Sequence, residues 1–129
     1  MSFSKQLAKF NDKAIGQATK FKRAVGVELF SSVILDTPVD TGRARGNWQT
    51  TTNTPATGET NQTAAEATAK AGNPGSYGAL EDVNYLTNNL PYIEGLEMGR
   101  SGQAPAGMVR KNLVRVRGIL NRLAREARK

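Results

Sequence analysis

The chain has 129 residues, the size of one domain with one modest core. It contains no cysteine and no histidine, which excludes disulfides, thiolate chemistry and the commonest proton shuttle and metal ligand of neutral solution, and the missing thiols fit a reducing cytoplasm. Eighteen Lys+Arg against eleven Asp+Glu leave a net charge of +7, which predicts attraction to polyanions.

From Phe3 the apolar residues Phe3, Leu7, Phe10, Ala14, Ala18, Phe21, Val25, Leu29 and Val33 recur at spacings of three and four, the one-face period of an α-helix. One long helix is expected, capped by Ser2 or Ser4 and stopped near Asp36, because Pro38 disfavours helical geometry at Thr37. Gly16 and Gly26 are weak points in it, each costing about 1 kcal/mol relative to alanine unless close packing compensates. Thr37 to Gly42 is dense in turn formers and reverses the chain. Arg43 to Thr52 alternates imperfectly and ends in a threonine run, so a first strand is expected there, with Arg43 and Arg45 on one face and Ala44 on the other.

Asn53 to Ala79 is rich in Thr, Ala, Asn and Gly, which predicts a flexible stretch (53–79) supplying little core. Within it Thr63 to Ala71 has fair helix propensity and reads as a short helix. Val83 to Asn88 has the β-branched and aromatic content of another strand. In the last segment Val109, Leu113, Val116, Leu120, Leu123 and Ala127 define an apolar stripe, with Pro105 suited to the first helical turn. Arg110, Lys111, Arg115, Arg117, Arg122, Arg125, Arg128 and Lys129 fall opposite it, so a basic amphipathic helix is expected.

Charge is unevenly spread along these elements. Residues 1–30 carry six bases and two acids, residues 100–129 nine bases and one acid, and the middle three bases and eight acids. That layout suits subunits stacking positive on negative surface, or turning one face to DNA and another to protein. The polar first ten residues lack the apolar centre of a signal peptide, and no run approaches the roughly 18–20 apolar residues that span a bilayer, so neither export nor insertion is expected.

Little catalytic chemistry is on offer. No serine sits in a nucleophile motif, and the glycine-rich pieces at Asn73–Gly78 and Gly99–Gly102 lack the Lys-Ser/Thr of a phosphate loop and read as turns. The carboxylate pairs Glu81/Asp82 and Glu94/Glu97 suit surface or inter-subunit ion pairs better than acid–base work. No enzyme, cofactor or metal site is expected.

Two segments are more specific. Thr37-Pro38-Val39-Asp40-Thr41-Gly42-Arg43-Ala44-Arg45-Gly46-Asn47-Trp48 resembles the TPVDTGRxRxxW signature of bacteriophage neck and tail-completion proteins, the family that includes the minor tail protein Z of phage lambda. Asn88-Asn89-Leu90-Pro91-Tyr92 through Leu96-Glu97-Met98-Gly99, then Ser101, Gln103-Ala104-Pro105 and Gly107-Met108-Val109-Arg110, resembles that family's second signature. Order and spacing agree over residues 1–125. The resemblance implies a structural virion protein, a neck or tail-completion subunit forming a ring at the head–tail junction around the DNA passage. Its implied partners are further copies, the adjoining connector or stopper, the tail terminator or tail tube, and genomic DNA without sequence preference. The implied location is the virion neck or tail end, after assembly in the host cytoplasm.

Physically, Trp48 should anchor the sheet against the helices and the Tyr92 ring should pack under it. Arg43, Arg45, Glu94 and Glu97 are the candidate subunit-interface residues, through ion pairs within or between subunits. Arg110, Arg115, Arg117, Arg122, Arg125 and Arg128 are the candidates for facing DNA or a partner. The expected fold is one α+β domain over residues 1–129: a long helix, a small mostly antiparallel sheet of three or four strands with a short connecting helix, and a basic last helix. The alternative is a stand-alone basic nucleic-acid-binding protein using that last helix; a membrane-surface role is disfavoured because its stripe lacks Trp and Phe.

Overall fold

The computed structural model describes residues 2–39, 42–100, 102, 104 and 106–128. Asp40, Thr41, Ser101, Gln103, Pro105 and Lys129, to which parts of the expected turn, second signature and basic face were assigned, lie outside the described residues.

Helix α1 spans Phe3–Leu35, and the Ser2 hydroxyl caps it by accepting from the Lys5 N–H at 3.3 Å. It ends as expected at Asp36, ahead of Pro38. Its period holds throughout, but only its second half is packed. Residues 2–17 are all exposed, whereas Val33 and Ile34 are buried. The two glycines of α1 divide in the same way. A methyl at Gly26 would stand 2.5 Å from the Tyr77 ring, so glycine is needed there, while at Gly16 nothing lies within 4 Å.

After α1 the reading of a strand from Arg43 is corrected: Arg43–Gly46 is a single helical turn, α2, entered through Gly42 at φ 72°. The Asn47 amide closes that turn by donating to the Arg43 carbonyl at 2.9 Å, which leaves Ala44 buried and strand geometry to begin only at the threonine run. Strand β1, Gln49–Thr52, pairs antiparallel with β2, Asn84–Thr87, in the register Thr50↔Leu86 and Thr51↔Tyr85. The described residues thus form two of the three or four strands expected, a pair too small to stand without helices behind it.

The chain between the strands folds onto α1. Helix α3, Ala64–Ala71, carries a reciprocal capping box in which Thr63 and Glu66 satisfy each other's backbone N–H at 3.1 Å. Its small inward residues, Ala67 and Ala71, let it sit close to α1, and the turn Pro74–Tyr77 follows. Tyr77 is fully buried, with its ring 5.5 Å from that of Phe30 and its hydroxyl donating to the Ala71 carbonyl at 2.6 Å. A stretch expected to supply little core therefore supplies Ala67, Ala71 and Tyr77.

Helix α4, Ile93–Glu97, leads to α5, Val109–Ala127, which runs antiparallel along the second half of α1. The core gathers Val33, Ile34, Trp48, Ala67, Ala71, Ala104 and Met108, so Trp48 has its expected place. Tyr92 does not: the residue is 42% exposed. Helix α5 is also rotated from the expected stripe, burying Asn112 and Ile119 while Leu113 remains 57% and Leu120 37% exposed. The cause is polar. The Asn112 amide donates to the Asp36 carboxylate and to the Met108 carbonyl, both at 2.8 Å, and holds the helix turned toward the end of α1.

The glycine contrast can be measured by thermal unfolding. Gly26→Ala should lower stability by about 1–3 kcal/mol through overpacking against Tyr77, whereas Gly16→Ala should raise helix content without lowering the midpoint. A Gly26→Ala chain that melts at or above the parent temperature would contradict this packing.

Candidate functional site

Charged groups dominate the surface, and where each one is spent decides what remains for a partner. Asp36, the C-cap of α1, is the acceptor for α5: besides Asn112 it pairs with Lys111 at 3.6 Å and Arg115 at 3.7 Å. Farther along, Glu28 pairs with Arg122 at 2.9 Å, and Arg122 also meets Glu126 at 3.4 Å. One edge of the basic helix is thus matched to the acids of α1.

Glu97 has a separate task. It lies at the end of α4, and its two carboxylate oxygens accept from the N–H groups of Met108, Val109 and Arg110 at 2.9, 2.8 and 3.0 Å, and from Arg110 Nε at 2.9 Å. The Arg110 guanidinium also reaches the Glu97 carbonyl. A side chain eleven residues upstream thereby satisfies the orphan donors that open α5. Burial pushes the Glu97 carboxyl upward, but the three backbone N–H groups and Arg110 outweigh it and hold it below the usual glutamate range. Gly107, at φ 78°, permits the approach, since a methyl there would strike Glu97.

The candidate interface set is therefore not brought together as expected. Arg43 pairs with Glu59, not with Glu94 or Glu97. Arg45 donates to the carbonyls of Thr37 at 2.8 Å and Leu35 at 2.6 Å, closing the end of α1. The Glu94 side chain is exposed, without a hydrogen bond or ion pair among the described residues. The reason is geometric: the helical turn at Arg43–Gly46 directs both arginines toward α1 and the loop at Glu59 rather than along a sheet face.

Of the six candidate arginines on α5, Arg110, Arg115 and Arg122 are spent on Glu97, Asp36 and Glu28. Arg117, Arg125 and Arg128 are exposed and unpaired among the described residues. At 3.6 residues per turn these three fall within an arc of about 80°. Two cations of α1 are spent as well: Lys22 Nζ donates to the carbonyls of Tyr77 at 3.0 Å, Asp82 at 2.6 Å and Ala79, and Arg23 holds the Gly78 carbonyl through Nε at 3.0 Å and Nη2 at 2.8 Å. These anchors escape sequence reading because their acceptors are main-chain carbonyls more than fifty residues away; their place at the edge of the apolar stripe is the only hint.

Several of the unpaired cations lie toward the outer end of α1 and the carboxyl-terminal end of α5. The carboxyl-terminal turns of α5 lie against α1 at Gln17, Lys20, Phe21 and Ala24, where Leu123, Glu126 and Ala127 complete a shallow cleft of about 420 Å³. Arg125 and Arg128 stand on the outward side of those turns, away from α1, and the exposed half of α1 continues outward with Lys5, Lys9 and Lys13. Among the described residues no cluster of acids could hold a metal, and no helix is long and apolar enough to cross a membrane. Compared with models of protein families, with curated proteins and with solved structures, the chain matches none of them.

The Glu97 cap carries a pH signature. A folded-state carboxyl held below its unfolded value stabilises the fold above the unfolded value, and that contribution is lost as pH falls through the folded one. Glu97→Gln should cost about 1–2 kcal/mol at neutral pH and should flatten the loss of stability in acid. Denaturant unfolding across that range checks it; an unchanged acid limb in the variant would remove Glu97 from this role.

Proposed function

We propose that the chain is a structural virion protein of a tailed bacteriophage, a neck or tail-completion subunit that joins further copies in a ring around the DNA passage and catalyses no reaction. The observation that carries this reading is that the two segments resembling the family's signatures fold against each other. The Asn88 amide donates to the Ala44 carbonyl at 2.9 Å, and Trp48 from the first segment shares the core with Ala104 and Met108 from the second. Segments distant in sequence that act as one structural unit are what a shared fold would retain, and here they tie α1, the sheet and α5 together.

The charge layout agrees with that role. A ring subunit needs two different complementary patches and tolerates a cationic surface toward DNA without base readout. On this reading Arg117, Arg125 and Arg128 face the DNA passage or an acidic neighbouring ring, and the remaining partners are the adjoining connector or stopper and the tail terminator or tail tube. Assembly takes place in the host cytoplasm, and the mature location is the neck or tail end of the virion.

The same free arginines favour one second reading, a stand-alone nucleic-acid-binding protein. Sequence-dependent, nanomolar DNA affinity in the isolated chain would select it, because a passage-lining subunit needs only weak, salt-labile attraction.

Antibody labelling of purified particles in negative stain tests the proposal, with label expected at the head–tail joint. In parallel, Arg117→Gln, Arg125→Gln and Arg128→Gln together should leave the thermal midpoint nearly unchanged, since exposed substitutions usually stay within about 0.5 kcal/mol, while lowering the yield of joined infectious particles. Label absent from particles, or a triple variant that infects like the parent, would contradict the assignment.

A further inference from the structure

One residue of the chain between the strands is gripped by a single row of α1. Lys22, Gly26 and Phe30 follow one another at spacings of four on the helix, and all three meet Tyr77. Lys22 Nζ donates to its carbonyl at 3.0 Å, Gly26 leaves the space that its ring fills, and Phe30 packs with the two rings 5.5 Å apart. The residues after Tyr77 turn the same way. The carbonyls of Ala79 and Asp82 also accept from Lys22 Nζ, the latter at 2.6 Å, and the Gly78 carbonyl accepts from Arg23 through Nε and Nη2.

The main chain of residues 77–82 thus points four carbonyl oxygens at two cations of one helix. Carbonyl dipoles aimed at one point repel each other unless a positive charge sits among them, and an ammonium group has one N–H for each of the three oxygens around Lys22. The Tyr77 and Ala79 carbonyls have second donors in the Asn84 amide at 3.1 Å and the Asp82 N–H at 3.2 Å. Those of Gly78 and Asp82 accept from the α1 cations alone among the described residues.

The surrounding residues fix the loop in this shape. Gly78 has φ 63°, and a methyl there would strike the Asp82 carboxylate. That carboxylate is committed within the loop, accepting from the Ala79 N–H at 2.8 Å and from the Asn53 amide at 3.0 Å. Asn53, at φ 68° the one non-glycine with positive φ among the described residues, is held by the Val83 N–H, which donates to its Oδ1 at 3.0 Å.

We propose that residues 77–82 form a cation cradle, a site for a primary ammonium group that the chain fills with its own Lys22, and that the filled cradle is the latch keeping the Tyr77 ring in the notch at Gly26. The ligand class follows from the oxygens. They are neutral and main-chain, which suits a monovalent cation bearing N–H donors, whereas divalent metals draw on several carboxylates and the one carboxylate here is already engaged. The latch also marks where the body begins on α1: residues 2–17 are exposed, and Lys22 and Arg23 are the first charged side chains of the helix to bond another element among the described residues. None of this depends on the ring reading.

Chemical rescue in the full-length chain reads the site. Lys22→Ala should lower the thermal midpoint and speed amide exchange over residues 77–83 about tenfold or more. Lys20→Ala, which removes a nearby lysine with no bond to the loop, should change neither. Propylammonium chloride, whose cation matches the side-chain atoms removed, should restore slow exchange to Lys22→Ala. Tetramethylammonium chloride at the same ionic strength has no N–H to donate and should not. Unchanged exchange in Lys22→Ala, no recovery with propylammonium, or equal recovery with both salts would each overturn the proposal. Should the alanine chain be unfolded on its own, refolding by propylammonium and not by tetramethylammonium supports the cradle, and refolding by neither or by both sinks it.

Discussion

The fold is keyed at the point where α1 ends, by the carboxylate of Asp36 and the hydroxyl of Thr37. Thr37 Oγ1 donates to the Val33 carbonyl at 2.8 Å and accepts from Trp48 Nε1 at 2.9 Å, so the last turn of the helix and the only tryptophan fix each other in the core. The neighbouring carboxylate takes Asn112, Lys111 and Arg115 of α5, and Arg45 covers the carbonyls left open at the helix end. Two consecutive residues thus set the sheet, the helical turn and the last helix relative to α1. Thr37 and Asn112 are buried polar groups, and leaving either partner unmet would cost on the order of 1–3 kcal/mol.

From that anchored end, length has consequences. Helix α1 has 33 residues and α5 only 19, so α5 covers the second half of α1 and stops. What extends past it is exposed, apolar on one side and basic on the other. Near the anchored end Arg45, Lys111 and Arg115 are consumed by caps and pairs, whereas Lys5, Lys9, Lys13, Lys20, Arg125 and Arg128 toward the other end have no ion pair among the described residues. On the proposed reading, that exposed arm belongs to a subunit that works by assembly.

Elements governed by local physics were legible in the sequence. The span of α1, its serine cap and its stop before Pro38, the short helix near Thr63, the strand at Asn84–Thr87 and the burial of Trp48 follow from period, capping and side-chain size. What depends on distant partners was not. Four residues at Arg43–Gly46 are too few to separate alternation from one helical turn, and the choice is made by Gly42 and Asn47. The rotation of α5 depends on Asn112 meeting Asp36 across 76 residues. Tyr77 stands alone among small residues, so no pattern announces that it fills the space opened by Gly26. The candidate charges misled for the same reason: periodicity shows which arginines share a face, and the acids that neutralise half of them come from another helix. Likewise an unbroken stripe on α1 says that a face is apolar, and only the fold shows that its first half has nothing beneath it.

The central claim, a body locked at Asp36–Thr37 and an arm left open for assembly, is tested most directly by amide hydrogen exchange along α1 in the full-length chain. In the dilute monomer, residues from Phe21 to Leu35 should be strongly protected and residues from Phe3 to Gly16 should exchange orders of magnitude faster, because no tertiary contact supports them. At concentrations where the chain associates, protection should extend to the arm. Uniform protection along the whole of α1 in the monomer, or an arm that stays unprotected in the assembled state, would contradict the account.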